Sequence, residues 1–313
     1  MPPKISVLIP TYNCAATIGA ALDSIFNQGY RDFEIIVIDD GSTDDTKAVL
    51  QPYGDRIRYF YQKNAGAEHA RLLGLQNASG EYIAILDADD VWLPEKLGLQ
   101  VQILENYPDV DFLFTDFQDF NEKEFSPQSC FDANRVFRKI PVRPLSAQHS
   151  YCKIFTRDIM YDYLQGNFIL PSTLLMRKTT CVSLGIFTDG VAIRELYEFC
   201  LRTLPRLKVA FIDKVLVHRR FRGNNLTKNA TFWHERTVLL CQHALQYPWM
   251  DKRCKNFLEI SMRQSYYKLG MDQLNKGNIA DARRLLRQSL SKDLTQWRAK
   301  FFYLLTFIIP SRS

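Results

Sequence analysis

Residues Glu81 to Pro94 read EYIAILDADDVWLP. The first half, Tyr82 to Leu86, is an unbroken apolar run of strand length. It breaks off at Asp87, Ala88, Asp89 and Asp90. Carboxylates clustered at the tip of a buried strand repel one another and lose solvation unless a cation or hydrogen-bond donors meet them. An acidic turn leading into a helix accounts for such residues with solvent alone. A divalent-metal site accounts for them as well. Open α/β folds bind ligands at the carboxyl edge of the sheet. Hard cations such as Mg²⁺ or Mn²⁺ take carboxylate oxygens there and bridge substrate phosphates.

Working outward, the same pattern recurs. Ile5 to Ile9 (ISVLI) predicts a buried parallel strand stopped by Pro10. The turn Thr11-Tyr12-Asn13 then leads into a helix with Ile18, Leu22, Ile25 and Phe26 on one face. Phe33 to Ile38 predicts a second strand ending in Asp39-Asp40-Gly41-Ser42, followed by a polar helix. Ile57 to Tyr61 predicts a third, whose turn Lys63-Asn64-Ala65-Gly66 opens a helix carrying Ala70, Leu73 and Leu75. Pro94 is expected in the first turn of the next helix, and Val110 to Thr115 as a fifth strand. Strands alternating with helices at short spacing imply βαβ units, an α/β class and a mostly parallel central sheet. Such a sheet gathers the loops after its strands on one edge. Neither G-x-G-x-x-G nor G-x-x-x-x-G-K-[ST] occurs, which argues against a dinucleotide site and a P-loop.

The chain has 313 residues and seven cysteines without a C-x-x-C pair, which suits a reducing compartment rather than a disulfide framework or a zinc site. Met1 to Lys4 leads directly into a strand-like run, so no leader peptide is expected, and no apolar stretch has the length of a membrane span. The net charge of +6 is uneven: residues 251–313 carry thirteen Lys/Arg against five Asp/Glu. The body is therefore slightly acidic, and a nucleic-acid partner is not expected.

Four ordered blocks, ISVLIPTYN, EIIVIDDGSTDDT, NAGAEHARLLGL and GEYIAILDADDVWLPEKL, resemble the N-terminal half of the inverting glycosyltransferases of family 2. The resemblance covers roughly Ile5 to Leu97 and implies the A-type, nucleotide-sugar-binding fold; from Thr231 the residues themselves predict a helical C-terminal appendage. It implies a nucleoside diphosphate sugar site built from Pro10, Thr11, Tyr12, Asn13, Asp39, Asp40, Lys63, Gly66, Arg71, Asp87, Ala88 and Asp89. In it Tyr12 would pack on the base and Asp39 would accept from a uracil-like imide. Arg71 would face the pyrophosphate or base side, and Asp87 the ribose. Asp89 would hold Mg²⁺ or Mn²⁺ beneath the phosphates, with Asp90 as a supporting or capping residue. The resemblance further implies a UDP-linked donor, a glycan or lipid-linked acceptor, and a role in polysaccharide assembly.

Beyond Asp116 the periodicity dissolves until Asn167 to Arg177, an extended segment, and Gly185 to Leu204. Similar enzymes carry a Glu-Asp pair at a helix start here, the second carboxylate being the catalytic base. The pair falls on Glu195 and Leu196, so Glu195 is the candidate base, with Asp189 and Glu198 as further candidates. A nucleotide-sugar-binding chain that no longer transfers sugar is the competing reading. Val209 to Val217 predicts a strand followed by His218-Arg219-Arg220-Phe221-Arg222, where the arginines could neutralise a pyrophosphate or form a solvated edge, and His218 could be a metal ligand or structural. We expect a catalytic domain over 1–230, with a nucleotide-sugar half to about 115 and an acceptor half over about 116–230. A helical, basic region is expected over 231–313. Ala282, Leu285, Leu286 and Leu290 share one helical face, with Arg283, Arg284 and Arg287 turned away. Residues 278–313 thus suit either an anionic membrane surface or packing within the protein. The expected location is cytoplasmic, peripheral at the inner face of the membrane.

Overall fold

The computed structural model describes residues 2–121, 123–186, 195–221, 230–290 and 297–307. The chain divides into two compact units, residues 1–222 and 223–313.

In unit 1 the strands are β1 (Ile5–Thr11), β2 (Phe33–Asp39), β3 (Arg58–Tyr61), β4 (Tyr82–Ile85), β5 (Val91–Trp92), β6 (Phe112–Phe120), β7 (Val142–Pro144), β8 (Cys152–Phe155), β9 (Leu175–Arg177) and β10 (Val209–Arg220). The helices are α1 (Ile18–Phe26), α2 (Thr46–Leu50), α3 (Ala67–Asn77), α4 (Lys96–Asn106), α5 (Cys130–Ala133), α6 (Met160–Gln165), α7 (Lys178–Ser183) and α8 (Glu195–Thr203). One sheet runs in the order β3-β2-β1-β4-β9-β6-β10-β8-β7, with β5 paired to β10. Pairings β3–β2, β2–β1, β1–β4 and β6–β10 are parallel. β9 is antiparallel to both β4 and β6, so those two run the same way and end on one edge.

The expected α/β sheet is present, and its strongest strands are the apolar runs of the sequence. All seven residues of β1 and all four of β4 are buried, the pattern of strands covered on both faces. Each buried Ile, Leu or Val contributes roughly 1.5–3 kcal/mol through burial.

Four local expectations are corrected. Pro10 does not stop β1, which continues to Thr11. The Leu8 carbonyl faces β4, accepting from Leu86 N–H, and the Thr11 carbonyl faces β2, accepting from Asp40 N–H. Alternation puts Pro10 on the β4 side, where β4 has already ended at Ile85, so its missing N–H costs no ladder bond. Pro94 sits two residues before α4, in the preceding turn, because Leu93 N–H is engaged by the Leu216 carbonyl and the chain must first leave β5. The fifth expected strand extends to Phe120, following β10 beyond a bulge. The segment 167–177 is not extended throughout: Pro171–Thr173 forms a helical turn before β9.

Unit 2 contains α9 (Ala230–Ala244), α10 (Lys252–Asn275), α11 (Ile279–Ser289) and α12 (Trp297–Leu305). Asp251 caps α10, accepting from Cys254 N–H at 2.7 Å. A Cβ on Gly270 would come within 2.8 Å of the Leu286 side chain, so glycine lets α10 and α11 pack closely. Ala282 and Leu286 are fully buried, and Leu285 packs on Val238, Tyr266 and Leu269. The apolar face of α11 is thus interior to the unit rather than open to lipid. Exposed large apolar side chains lie on α9 (Leu239) and α10 (Ile260), and the most exposed cluster on and just beyond α12, at Phe301, Leu304 and Phe307.

Among the described residues no helix is long and apolar enough to cross a membrane. No disulfide joins the seven cysteines.

Candidate active site

The loops after the parallel strands are tied into one assembly at the carboxyl edge. Asn13, the residue with left-handed backbone after β1 (φ 53°), accepts from Thr43 N–H at 2.8 Å, and its own N–H donates to Ser42 Oγ at 2.9 Å. Tyr12, beside it, is half exposed. Asp39 is buried at the end of β2: Oδ1 accepts from Ser42 N–H and Oδ2 from the Tyr59 hydroxyl, each at 2.8 Å. Burial and the charge of Asp39 push the Tyr59 hydroxyl well above the ordinary phenol range.

Asp40 is a bracket between loops. Its N–H donates to the Thr11 carbonyl. Its carboxylate accepts from Gln62 Nε2 (2.7 Å), Ala65 N–H and Gly66 N–H (2.8 Å each). Gly66 adopts φ +98°, a conformation that favours glycine, and this aims its N–H at Asp40. Lys63, in the same loop, is exposed.

Helix α3 carries Arg71, buried, whose Nη2 lies 2.6 Å from Asp87 Oδ1. Asp87 N–H donates to Ser172 Oγ (3.1 Å), and that hydroxyl donates to Asp90 Oδ2 (2.6 Å). Asp90 Oδ1 accepts from Arg220 N–H (3.0 Å), while Arg220 Nε donates to the Asp89 carbonyl (3.1 Å). Trp92 Nε1 donates to the Ser172 carbonyl at 2.7 Å. Burial, then the charges of Asp87 and Asp89, push the Asp90 carboxyl well above the usual carboxylate range. Ala88 is buried and Asp89 half-buried. The acidic loop is therefore gripped from α3, from the turn before β9 and from the end of β10.

Of the basic cluster, Arg219 makes two 2.6 Å bonds to Asp119, and Arg220 holds the acidic loop. Arg222 lies outside the described residues. His218 is packed edge-on to Phe125, ring centres 4.6 Å apart, and burial lowers its pKa. Among the described residues no group of three or more His, Cys, Asp or Glu could hold a metal.

Glu195 begins α8, and of it only the backbone is described. Leu196 is buried at 6% exposure. Glu198 is buried too, its Oε1 accepting from Arg202 Nε at 3.0 Å. Asp189 lies outside the described residues. Sequence reasoning missed Ser172, a single serine in an apolar stretch that carries no signal of its long-range partners.

The model of glycosyl transferase family 2 matches residues 6–165. The chain belongs to that family, and it is a glycosyltransferase. An Escherichia coli relative, named UDP-Glc:alpha-D-GlcNAc-diphosphoundecaprenol beta-1,3-glucosyltransferase, is 34% identical over 258 residues, covering 80% of this chain and 98% of its own. A Rickettsia typhi relative named an uncharacterized glycosyltransferase is 28% identical over 229 residues, 73% of this chain and 67% of its own. Among solved structures, residues 1–349 of S. aureus TarS in complex with UDP-GlcNAc align with a TM-score of 0.61 at 18% identity, over 92% of this chain and 82% of that one. A mannosyltransferase from Pyrobaculum calidifontis in complex with GDP-Man and Mn2+ aligns at 0.56 and 16%, over 98% and 86%. These two likenesses are likenesses of fold, the A-type fold of nucleotide-sugar transferases.

Proposed function

We propose that this glycosyltransferase moves a sugar, with inversion, from a UDP-linked donor to a hydroxyl of a lipid-linked glycan acceptor in polysaccharide assembly, and that it uses a divalent metal. The supporting observation is the linked edge Asp39–Asp40–Arg71–Asp87–Asp89, together with the E. coli relative matched over nearly its whole length. Residues 1–230 form the catalytic domain in this reading, and 231–313 a helical basic region.

The donor's base packs on the half-exposed Tyr12. Asp39 retains acceptor capacity for an imide N–H beyond its two bonds. Asp87 and Asp89 offer carboxylate oxygens at the strand end, the ligand type that a hard divalent cation takes. Asp89 would hold Mg²⁺ or Mn²⁺. The ion, when bound, stabilises charge on the departing diphosphate. Asp87, fixed by Arg71, faces the ribose. Glu195 takes the proton of the acceptor hydroxyl as its oxygen bonds to the anomeric carbon and the bond to the nucleoside diphosphate breaks. The exposed apolar residues of α12, within a strongly basic C-terminal stretch, suit contact with the anionic membrane that presents such an acceptor.

The test is UDP release from a panel of UDP-sugars with a synthetic GlcNAc-diphosphate-lipid acceptor, with Mn²⁺ or with chelator. Acceptor-dependent release that chelator abolishes is the expected result. In the Asp89→Ala variant, metal should no longer tighten UDP binding in calorimetry. The buried Leu196 favours a second reading, a donor-binding chain without transfer; UDP binding with no acceptor-dependent release would establish it.

A further inference from the structure

The carboxyl ends of β6 and β10 carry an aromatic recess that none of the roles above uses. It is a cavity of about 460 Å³ lined by Phe120, Phe125, Phe221, Asn121, Glu124 and Ser126, among others. Phe125 and Phe221 are each about half exposed, an unusual state for phenylalanine. Their placement is fixed. Asn121 Oδ1 accepts from the N–H groups of Lys123 (2.8 Å) and Glu124 (3.0 Å), closing a tight turn. That turn brings Phe125 back onto Phe120, stacked at 5.7 Å. Phe221 N–H donates to the Phe120 carbonyl at 2.7 Å. Asp119, on the same wall, is locked to Arg219.

The recess adjoins the acidic loop through one residue: Phe221 follows Arg220, which binds Asp89 and Asp90. Phe120 itself is covered, with the Arg220 guanidinium 4.5 Å over its ring and Phe125 stacked on it. We propose that the half-exposed Phe125 and Phe221, backed by Phe120, form a stacking floor for a sugar ring of the acceptor, with its hydroxyls met by Asn121, Glu124 and Ser126. A pyranose presents C–H groups on its face and hydroxyls at its rim. An aromatic floor with a carboxylate, an amide and a hydroxyl at the edge matches both. An alkyl chain would have no use for that polar rim. The inference rests on the transferase reading above and names the chemistry that recognises its acceptor.

The probe is octyl N-acetyl-α-glucosaminide, observed by saturation-transfer NMR on the full chain. Saturation should reach the sugar ring protons. Phe125→Ala and Phe221→Ala should each weaken glycoside binding about five- to tenfold. Melting temperature and UDP affinity should hold, because both rings are half exposed. Saturation confined to the octyl chain, or wild-type binding in both variants, overturns the proposal. If the wild-type chain ignores UDP while sugar protons still receive saturation, the floor stands and the transferase reading above fails.

Discussion

Arg71 Nη2 and Asp87 Oδ1 meet at 2.6 Å, joining α3 to the acidic loop, with the guanidinium 10% and the carboxylate 32% exposed. Removing the arginine leaves Asp87 facing Asp89 and Asp90 without its cation. Breaking a fully buried pair costs about 3–5 kcal/mol, and partial exposure here reduces that to about 2. Arg71→Met should show this loss in urea unfolding and bind UDP at least about tenfold more weakly. Arg71→Lys should fall between, since lysine keeps the charge but not the planar fork.

The base assignment yields an opposed pair of variants. Glu195→Gln should lower acceptor-dependent turnover about 10²–10⁴-fold with UDP affinity retained. Leu196→Asp would rebuild the family's acidic pair, yet it should not raise activity. Leu196 is buried, and an unpaired carboxylate there should cost about 3 kcal/mol or more. Melting curves and turnover on both variants check the pair. Wild-type turnover in Glu195→Gln would reject the assignment.

Acid sensitivity should reside partly in Glu34. Burial pushes its carboxyl up, but hydrogen bonds from Ser6, Ser79 and Arg58 outweigh this and hold it at about 2, against an ordinary 4.5. The folded state thus binds its proton more weakly than the unfolded chain. The stabilisation is present above about pH 4.5 and is lost as pH falls toward 2. Its size is about 3 kcal/mol. Glu34→Gln should therefore be less stable at pH 7 and show a flatter stability profile between pH 5 and pH 2 in denaturant titrations, by about that amount.

Helix α12 should carry the membrane contact. Phe301→Glu and Leu304→Glu replace exposed apolar side chains, so folding should be unaffected while binding to phosphatidylglycerol vesicles at low salt is lost. Raising salt should weaken the wild-type chain. Wild-type flotation by the double variant would remove α12 from the reading.

The strands and acidic loops of the nucleotide half were legible because buried parallel strands write themselves as apolar runs and end in polar turns. What escaped was long-range. Ser172 grips Asp90 across 82 residues and Asp87 across 85, and a lone serine announces no such partner. Strand β9 spans three residues, too short to show a period. Asp40 stood in the sequence as a ligand-facing acid, yet three of its acceptor sites serve Gln62, Ala65 and Gly66. The face of α11 was read correctly as apolar, but a period alone cannot tell lipid from a neighbouring helix.

The insertion of β9 between β4 and β6 bears on biosynthesis. Strand β4 ends at Ile85, and the strand that covers its open side begins at Leu175, 90 residues later. A ribosome adding about 5–20 residues per second leaves that apolar edge bare for roughly 5–20 s. An uncovered hydrophobic strand edge is a template for pairing with other chains. Yield in the cell should therefore depend on elongation speed across residues 86–174 and on chaperones that occupy the β4 edge until Leu175 emerges.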